Sequence, residues 1–326
     1  MRTKLAALLL APSLLPAQAP NAIPATDATR IAEFYRLKPQ IEDKIWPAWS
    51  KTRAPLLLIT ANDEYLTHFG NPPEDFSKVG DDLYARPRQF SPNLQATFPA
   101  FGFPPVIAIG EPANTPSKTS TPWLIVVMHE HFHQLQWAQP GYMNAINDLG
   151  LDHGDKTGMW MLNYKFPYED AEVAGSFAHL RDTLLAALAE VDERKFAPLS
   201  KAYLKERKQF LAMFLRDDRK YLSFQLWQEG VARYTQVKAA EAAADYQPSA
   251  AFTALPDYTP FSSYALTARS RTLDELKNVD FAQSKRESFY SFGAAECFLL
   301  DRINPKWKEE YFQHLLSTDP LFPVIR

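Results

Sequence analysis

The apolar pattern of the chain changes character near residue 140. Before that point, short continuous apolar runs are separated by polar turns. Pro55-Leu56-Leu57-Leu58-Ile59-Thr60 and Tyr65-Leu66-Thr67-His68-Phe69 read as strands joined by a turn at Asn62-Asp63. Pro105-Val106-Ile107-Ala108-Ile109 reads as another strand. Thr26-Asp27 offers a cap for a first helix through Tyr35 and, past Pro39, towards Trp49. Beyond residue 140 the spacing becomes helical. Segment 168–191 carries Val173, Phe177, Leu180, Leu184 and Leu188 on one stripe, and segment 198–216 carries Leu199, Tyr203, Phe210, Met213 and Phe214. Segments 220–243, 286–303 and 305–316 continue the series. Such stripes are core faces. The pattern predicts an α+β chain, with a mixed lobe over residues 20–150 and a mainly helical lobe over 151–326. No internal repeat and no low-complexity linker interrupts it.

At the end of the first part stands Val127-Met128-His129-Glu130-His131-Phe132-His133-Gln134. A helix turns about 100° per residue, so His129 and His133 share a face one turn apart and two imidazoles there can hold one metal ion. Glu130 falls beside that ion, where a carboxylate takes a proton from a zinc-activated water. The preceding run Trp123 to Met128 is apolar, so the helix enters a hydrophobic interior before reaching these polar groups. Buried imidazoles and a carboxylate are costly without partners, and a metal is a natural one. As a strand, the same residues would lie roughly 13 Å apart and could not chelate one ion. Thr121-Pro122 supports the helix, as an N-cap followed by Pro at the first helical position. His131 points about 200° away from His129 and reads as a satisfied core histidine.

A catalytic zinc commonly takes three protein ligands. The best candidate for the third is Glu229, in Leu226-Trp227-Gln228-Glu229-Gly230-Val231-Ala232-Arg233-Tyr234. It must arrive on a separate helix, whose small Gly230 and Ala232 would permit close approach to the first, with Trp227, Val231 and Tyr234 as its packed side. Glu172 in Tyr168-Glu169-Asp170-Ala171-Glu172 is the rival ligand and Asp170 a candidate partner for a ligand histidine. First-turn acids favoured by a helix dipole are the plainer reading of both. In the polar loop 150–160, His153 is a candidate oxyanion donor, alongside Tyr164, Tyr168 and Tyr234.

The two motifs together resemble the gluzincin metallopeptidases, and in particular secreted bacterial proteins of the peptidase MA-like kind. The resemblance implies a zincin-like fold, one Zn2+ per chain held by His129, His133 and Glu229, and Glu130 as general base. It also implies a sheet edge that pairs with an extended substrate, for which strand 105–109 is the candidate, with an ordinary core strand as the other reading of that segment. One departure is Arg233, which stands where the thermolysin-like pattern has an Asp four residues after the third ligand. The expected activity is hydrolysis of peptide bonds in a peptide or protein substrate. A non-catalytic zincin-fold binding protein and a zinc hydrolase of non-peptide esters or amides are the alternatives.

Composition narrows the setting. The 326 residues are 46% hydrophobic and 13% aromatic, which is globular in character. A net charge of −3 with scattered Lys and Arg gives no basic surface for nucleic acid. Twenty-six Pro against eleven Gly is unusual, and those crowding residues 72–122 imply extended, turn-rich segments. Residues 1–19 read as a secretory signal: Arg2 and Lys4, an apolar core from Leu5 to Leu15, then Ala17-Gln18-Ala19. That run is too short and Pro-broken for a stable membrane anchor, and secretion or a periplasmic location is expected. Cys297 is the only cysteine and reads as a small buried apolar residue.

Overall fold

The computed structural model describes residues 22–155 and 157–324, so the predicted signal lies outside the described residues. The fold is α+β. Six strands form one mixed sheet: β1 (Leu56–Ile59), β2 (Asp63–Thr67), β3 (Ser77–Gly80), β4 (Leu83–Pro87), β5 (Gln95–Phe98) and β6 (Val106–Gly110). Their order is β3-β4-β2-β1-β6-β5. Only β1 and β6 run parallel; the other neighbours are antiparallel.

The continuous apolar runs of β1 and β6 follow from burial on both faces. Leu56, Leu58, Ile107 and Ile109 point into the main core with the helices. Leu57, Ile59, Val106 and Ala108 point the other way, into a smaller cluster with Leu66, Phe69 and Phe76. Strands β3, β4 and β5 lie within the Pro-rich stretch and are mostly half-exposed, so neither alternation nor a solid apolar run announces them. One expectation is corrected here. Strand 105–109 is not the sheet edge: β6 is bonded on both sides, by β1 and β5, and β5 forms that edge instead.

Eight principal helices follow in chain order: α1 (Ala25–Ile45), α2 (Ser120–Trp137), α3 (Ala171–Ala189), α4 (Glu193–Ala212), α5 (Arg216–Gln225), α6 (Val231–Ala242), α7 (Phe261–Asn278) and α8 (Ser288–Ile303). Helix α1 starts after Pro24 rather than on a Thr26-Asp27 cap, and Asp27 instead takes a hydrogen bond from Arg30 at 2.6 Å. Helix α2 begins two residues earlier than expected, after Thr119. Thr121 donates its hydroxyl to the Thr259 carbonyl at 2.5 Å rather than capping its own helix. Pro122 still falls in the first turn, where its missing N–H is harmless.

Nearly every side chain of α2 is buried, because it runs between the sheet and the helices. It rests on β5 and β6 on one side and on α6 on the other, while α6 also touches α1, α7 and α8. The main core is continuous from Ile31 to Phe322 and crosses residue 150. Trp46 of the N-terminal part donates to Thr235 of α6 at 2.9 Å. Segment 220–243 is not one uniform helix. Between α5 and α6, Leu226–Gly230 forms a π-helical turn, the kind of local widening often found at functional positions. No helix of the described residues is long and apolar enough to cross a membrane.

Candidate metal centre

His129 and His133 lie one turn apart on α2, and Glu229 faces them from the π turn. The Nε2 atoms of the two imidazoles are 3.1 Å apart. Glu229 Oε2 lies 3.3 Å from His133 Nε2 and 3.8 Å from His129 Nε2. Tetrahedral coordination at the usual zinc–nitrogen length places ligand atoms about 3.3 Å from one another. The three donors therefore converge as a metal requires, and His129, His133 and Glu229 are the only such group of three among the described residues. Both histidines are buried, and Glu229 keeps 14% of its side chain exposed.

The charges fit the same arrangement. Burial alone would push the His133 imidazole down, but the Glu229 carboxylate, with Glu130 and Gln136 adding to it, brings it up to about 9. Burial would likewise raise Glu229; His133, hydrogen bonds from both imidazoles and the Arg286 cation together hold it well below the usual range. Without an ion the pair needs a proton to sit together. A divalent cation can replace that proton.

Ligand orientation is set by neighbours that the sequence reading did not name. His133 Nδ1 lies 2.7 Å from Gln136 Oε1. The amide nitrogen of Gln136 is turned towards the Trp227 and Gln228 carbonyls of the π turn, both at 3.1 Å, and towards Tyr311 Oη at 2.8 Å. That leaves the Gln136 oxygen for His133, so Nδ1 carries the hydrogen and Nε2 offers its lone pair to the centre. The spacing His133-x-x-Gln136, one helical turn, is the signal that could have found it.

Glu130, also buried, points at the edge strand. Thr97 of β5 lies with its Oγ1 2.8 Å from Glu130 Oε2 and 2.9 Å from the Glu130 carbonyl. Nothing in the sequence around Thr97 marks it. On the remaining side stand Arg286, in the 3-10 turn that leads into α8, and Tyr290, in the first turn of α8. Arg286 Nη1 donates to Tyr290 Oη at 2.6 Å and lies 3.4 Å from Glu229 Oε1. The Tyr290 ring is parallel to that of His129, with centroids 6.2 Å apart. Burial and the Glu229 charge raise the Tyr290 phenol well above its ordinary value, so it stays protonated. Because Arg286 donates to its oxygen, the Tyr290 O–H remains a donor. The apolar spacing of segment 286–303 marks a core stripe and gives no sign of Arg286-x-x-x-Tyr290 at its N-terminal end.

Other expected residues fall elsewhere. Glu172 is exposed, and Asp170 caps α3 by accepting from the Glu172 and Val173 N–H groups, so neither joins the site. Tyr234 donates to Asp301 at 2.9 Å within the helical core, and Tyr164 donates to Asp218 at 2.9 Å. His153 sits at positive φ in its loop. Gly230 does permit a close approach, but to α8: a Cβ there would lie 2.6 Å from Gly293 Cα. Trp227, Val231 and Tyr234 are buried as expected, and Arg233 pairs with Glu275 away from the ligands. His131 has the satisfied core role, bonded to Gln134 at 2.8 Å and to Glu42 at 2.6 Å. Cys297 is buried. No family model, curated protein or solved structure matches this chain significantly.

Proposed function

We propose that this chain is a secreted zinc-dependent hydrolase of the gluzincin kind, acting on peptide bonds. One observation carries the reading: two imidazole nitrogens and a carboxylate oxygen converge, with a second carboxylate held beside them from an edge strand. His129, His133 and Glu229 would hold the ion. A zinc ion bound there supplies a Lewis acid that polarises a carbonyl and acidifies water. Glu130 accepts the proton of the attacking water at its carboxylate and returns it to the leaving amine. Thr97 keeps that carboxylate in position. Tyr290 contributes an O–H donor to the carbonyl oxygen as it becomes negative, and Arg286 adds a nearby positive charge. The free side of β5 offers backbone groups to an extended peptide.

The test is metal content by plasma mass spectrometry together with hydrolysis of a peptide library. Wild type should carry about one zinc per chain, and His133→Ala should lose it. Glu130→Gln should keep the metal and lose hydrolysis. A fully active Glu130→Gln protein would remove Glu130 from its assigned role.

A further inference from the structure

A second feature adjoins the metal centre and is not used by the steps above. A half-open cavity of about 550 Å³ lies between the segment before α3 and the turn entering α8. That size is within the range of small-molecule pockets, roughly 300–1,000 Å³. Tyr164, Phe166 and Tyr168 give it an aromatic wall, and Lys165, Lys285 and Arg286 bring three cations to it. Arg286 is the link between the cavity and the centre, since the same guanidinium touches Glu229 and Tyr290.

Two acids also line the cavity, and both are engaged. Asp170 is occupied as the cap of α3 through Oδ1. Glu169 is exposed and pairs with Lys285 at 3.3 Å. Lys165 has no ion-pair partner among the described residues. With the two acids engaged in this way, Lys165 is the cation without an ion pair at the cavity, and Arg286 contacts Glu229 and Tyr290 through Nη1. Arg286 is a fork donor suited to carboxylates, mounted on a helix end and partly buried.

We propose that this cavity receives a carboxylate of the substrate on one side of the cleaved bond, so that the enzyme prefers peptides carrying a negative charge there. The proposal rests on the hydrolase reading for its substrate class. The carboxylate is either a free C-terminus or an Asp or Glu side chain. The chemistry is the same, and the experiment separates the sources.

The experiment uses zinc-loaded, full-chain Glu130→Gln protein, which binds without cleaving. Four fluorescein-labelled alanine-rich pentapeptides are titrated by anisotropy: a free C-terminus, its amide, an amide with one internal Glu, and an amide with Gln at that position. Wild type is assayed for cleavage of the same four. A carboxylate-bearing peptide is expected to bind about tenfold more tightly than its neutral partner, equivalent to one charge-assisted contact. An advantage confined to the first peptide names the C-terminus as the group, and one confined to the third names the side chain; either supports the proposal. In a Lys165→Glu, Lys285→Glu double variant of exposed residues, neutral binding should persist while the advantage falls below about threefold. Equal binding of charged and neutral peptides, or an advantage undiminished in the double variant, overturns the cavity assignment while leaving the hydrolase reading intact. Selective binding without cleavage by wild type overturns the hydrolase reading and keeps the carboxylate site. No binding of any of the four removes both.

Discussion

Gly230 and Gly293 pack backbone to backbone, so closely that a Cβ on either would fall 2.6 Å from the other's Cα. Gly230 immediately follows the candidate ligand Glu229 and Gly293 lies on α8, one turn beyond Tyr290. This contact therefore fixes how far Glu229 stands from the helix bearing Tyr290. Neither backbone can yield as a flexible side chain would. Gly230→Ala is expected to destabilise the protein by about 1–3 kcal/mol or more through overpacking. Denaturant titration measures the loss, and zinc titration should show weakened affinity as Glu229 is displaced. Unchanged stability and affinity would show that the two helices can separate freely.

Thr97 presents a hydroxyl to the Glu130 carboxylate, and a hydrogen bond to a charged group contributes roughly 1.5–3 kcal/mol. Thr97→Val should accordingly lower kcat by about 10–100-fold. KM and zinc content should hold, because the hydroxyl touches neither substrate nor metal ligand. Thr97→Ser keeps the hydroxyl and should restore most of the rate. Steady-state kinetics on the three proteins decides it; equal rates in all three would remove the positioning role.

Gln136 sets the tautomer of His133 by turning its own nitrogen to the π-turn carbonyls. Losing such an outer partner commonly costs about 10–100-fold in metal affinity. Gln136→Ala should show that loss in competition titration with a fluorescent zinc chelator. Wild-type affinity in the variant would show that the Gln136 oxygen does not set the His133 tautomer.

Acid stability should depend on Glu42, a buried carboxylate from α1. Burial would raise it, but the hydrogen bond and charge of His131, with Lys38, hold it below its ordinary value of 4.5. A carboxylate depressed in the folded state stabilises the fold above its unfolded value. That stabilisation is lost as pH falls through the lower, folded value. Melting temperature measured against pH should thus fall more steeply on the acid side in wild type than in Glu42→Gln. The difference between the two proteins should be largest near neutrality and shrink below the ordinary glutamate range. Parallel curves would show that the carboxylate charge contributes nothing.

How much of this was legible beforehand depends on distance along the chain. Strands β1 and β6 were visible as apolar runs, since burial on both faces requires them, whereas β2 was read two residues too late because it opens with the acids Asp63 and Glu64. The half-exposed β3, β4 and β5 left no such trace, and the edge was assigned to the wrong strand because edge position depends on pairing, not on composition. Helix α7 was missed because its buried positions are few: Phe261, Ala268, Thr272 and Leu276.

The sequence by itself determined what one helix can do. Spacing of four residues places His129 and His133 on one face and Glu130 beside them, as backbone geometry dictates regardless of surroundings. The Glu229 setting was also readable, although not the π turn that carries it. Only tertiary structure decided the rest: Thr97 beneath Glu130, Gln136 locked to the π-turn carbonyls, and Arg286 and Tyr290 beside Glu229. These residues meet across long stretches of chain through packing that no local pattern encodes. A lone Thr in a half-exposed strand or an Arg at a helix end has the same local signature whether it faces solvent or a metal centre.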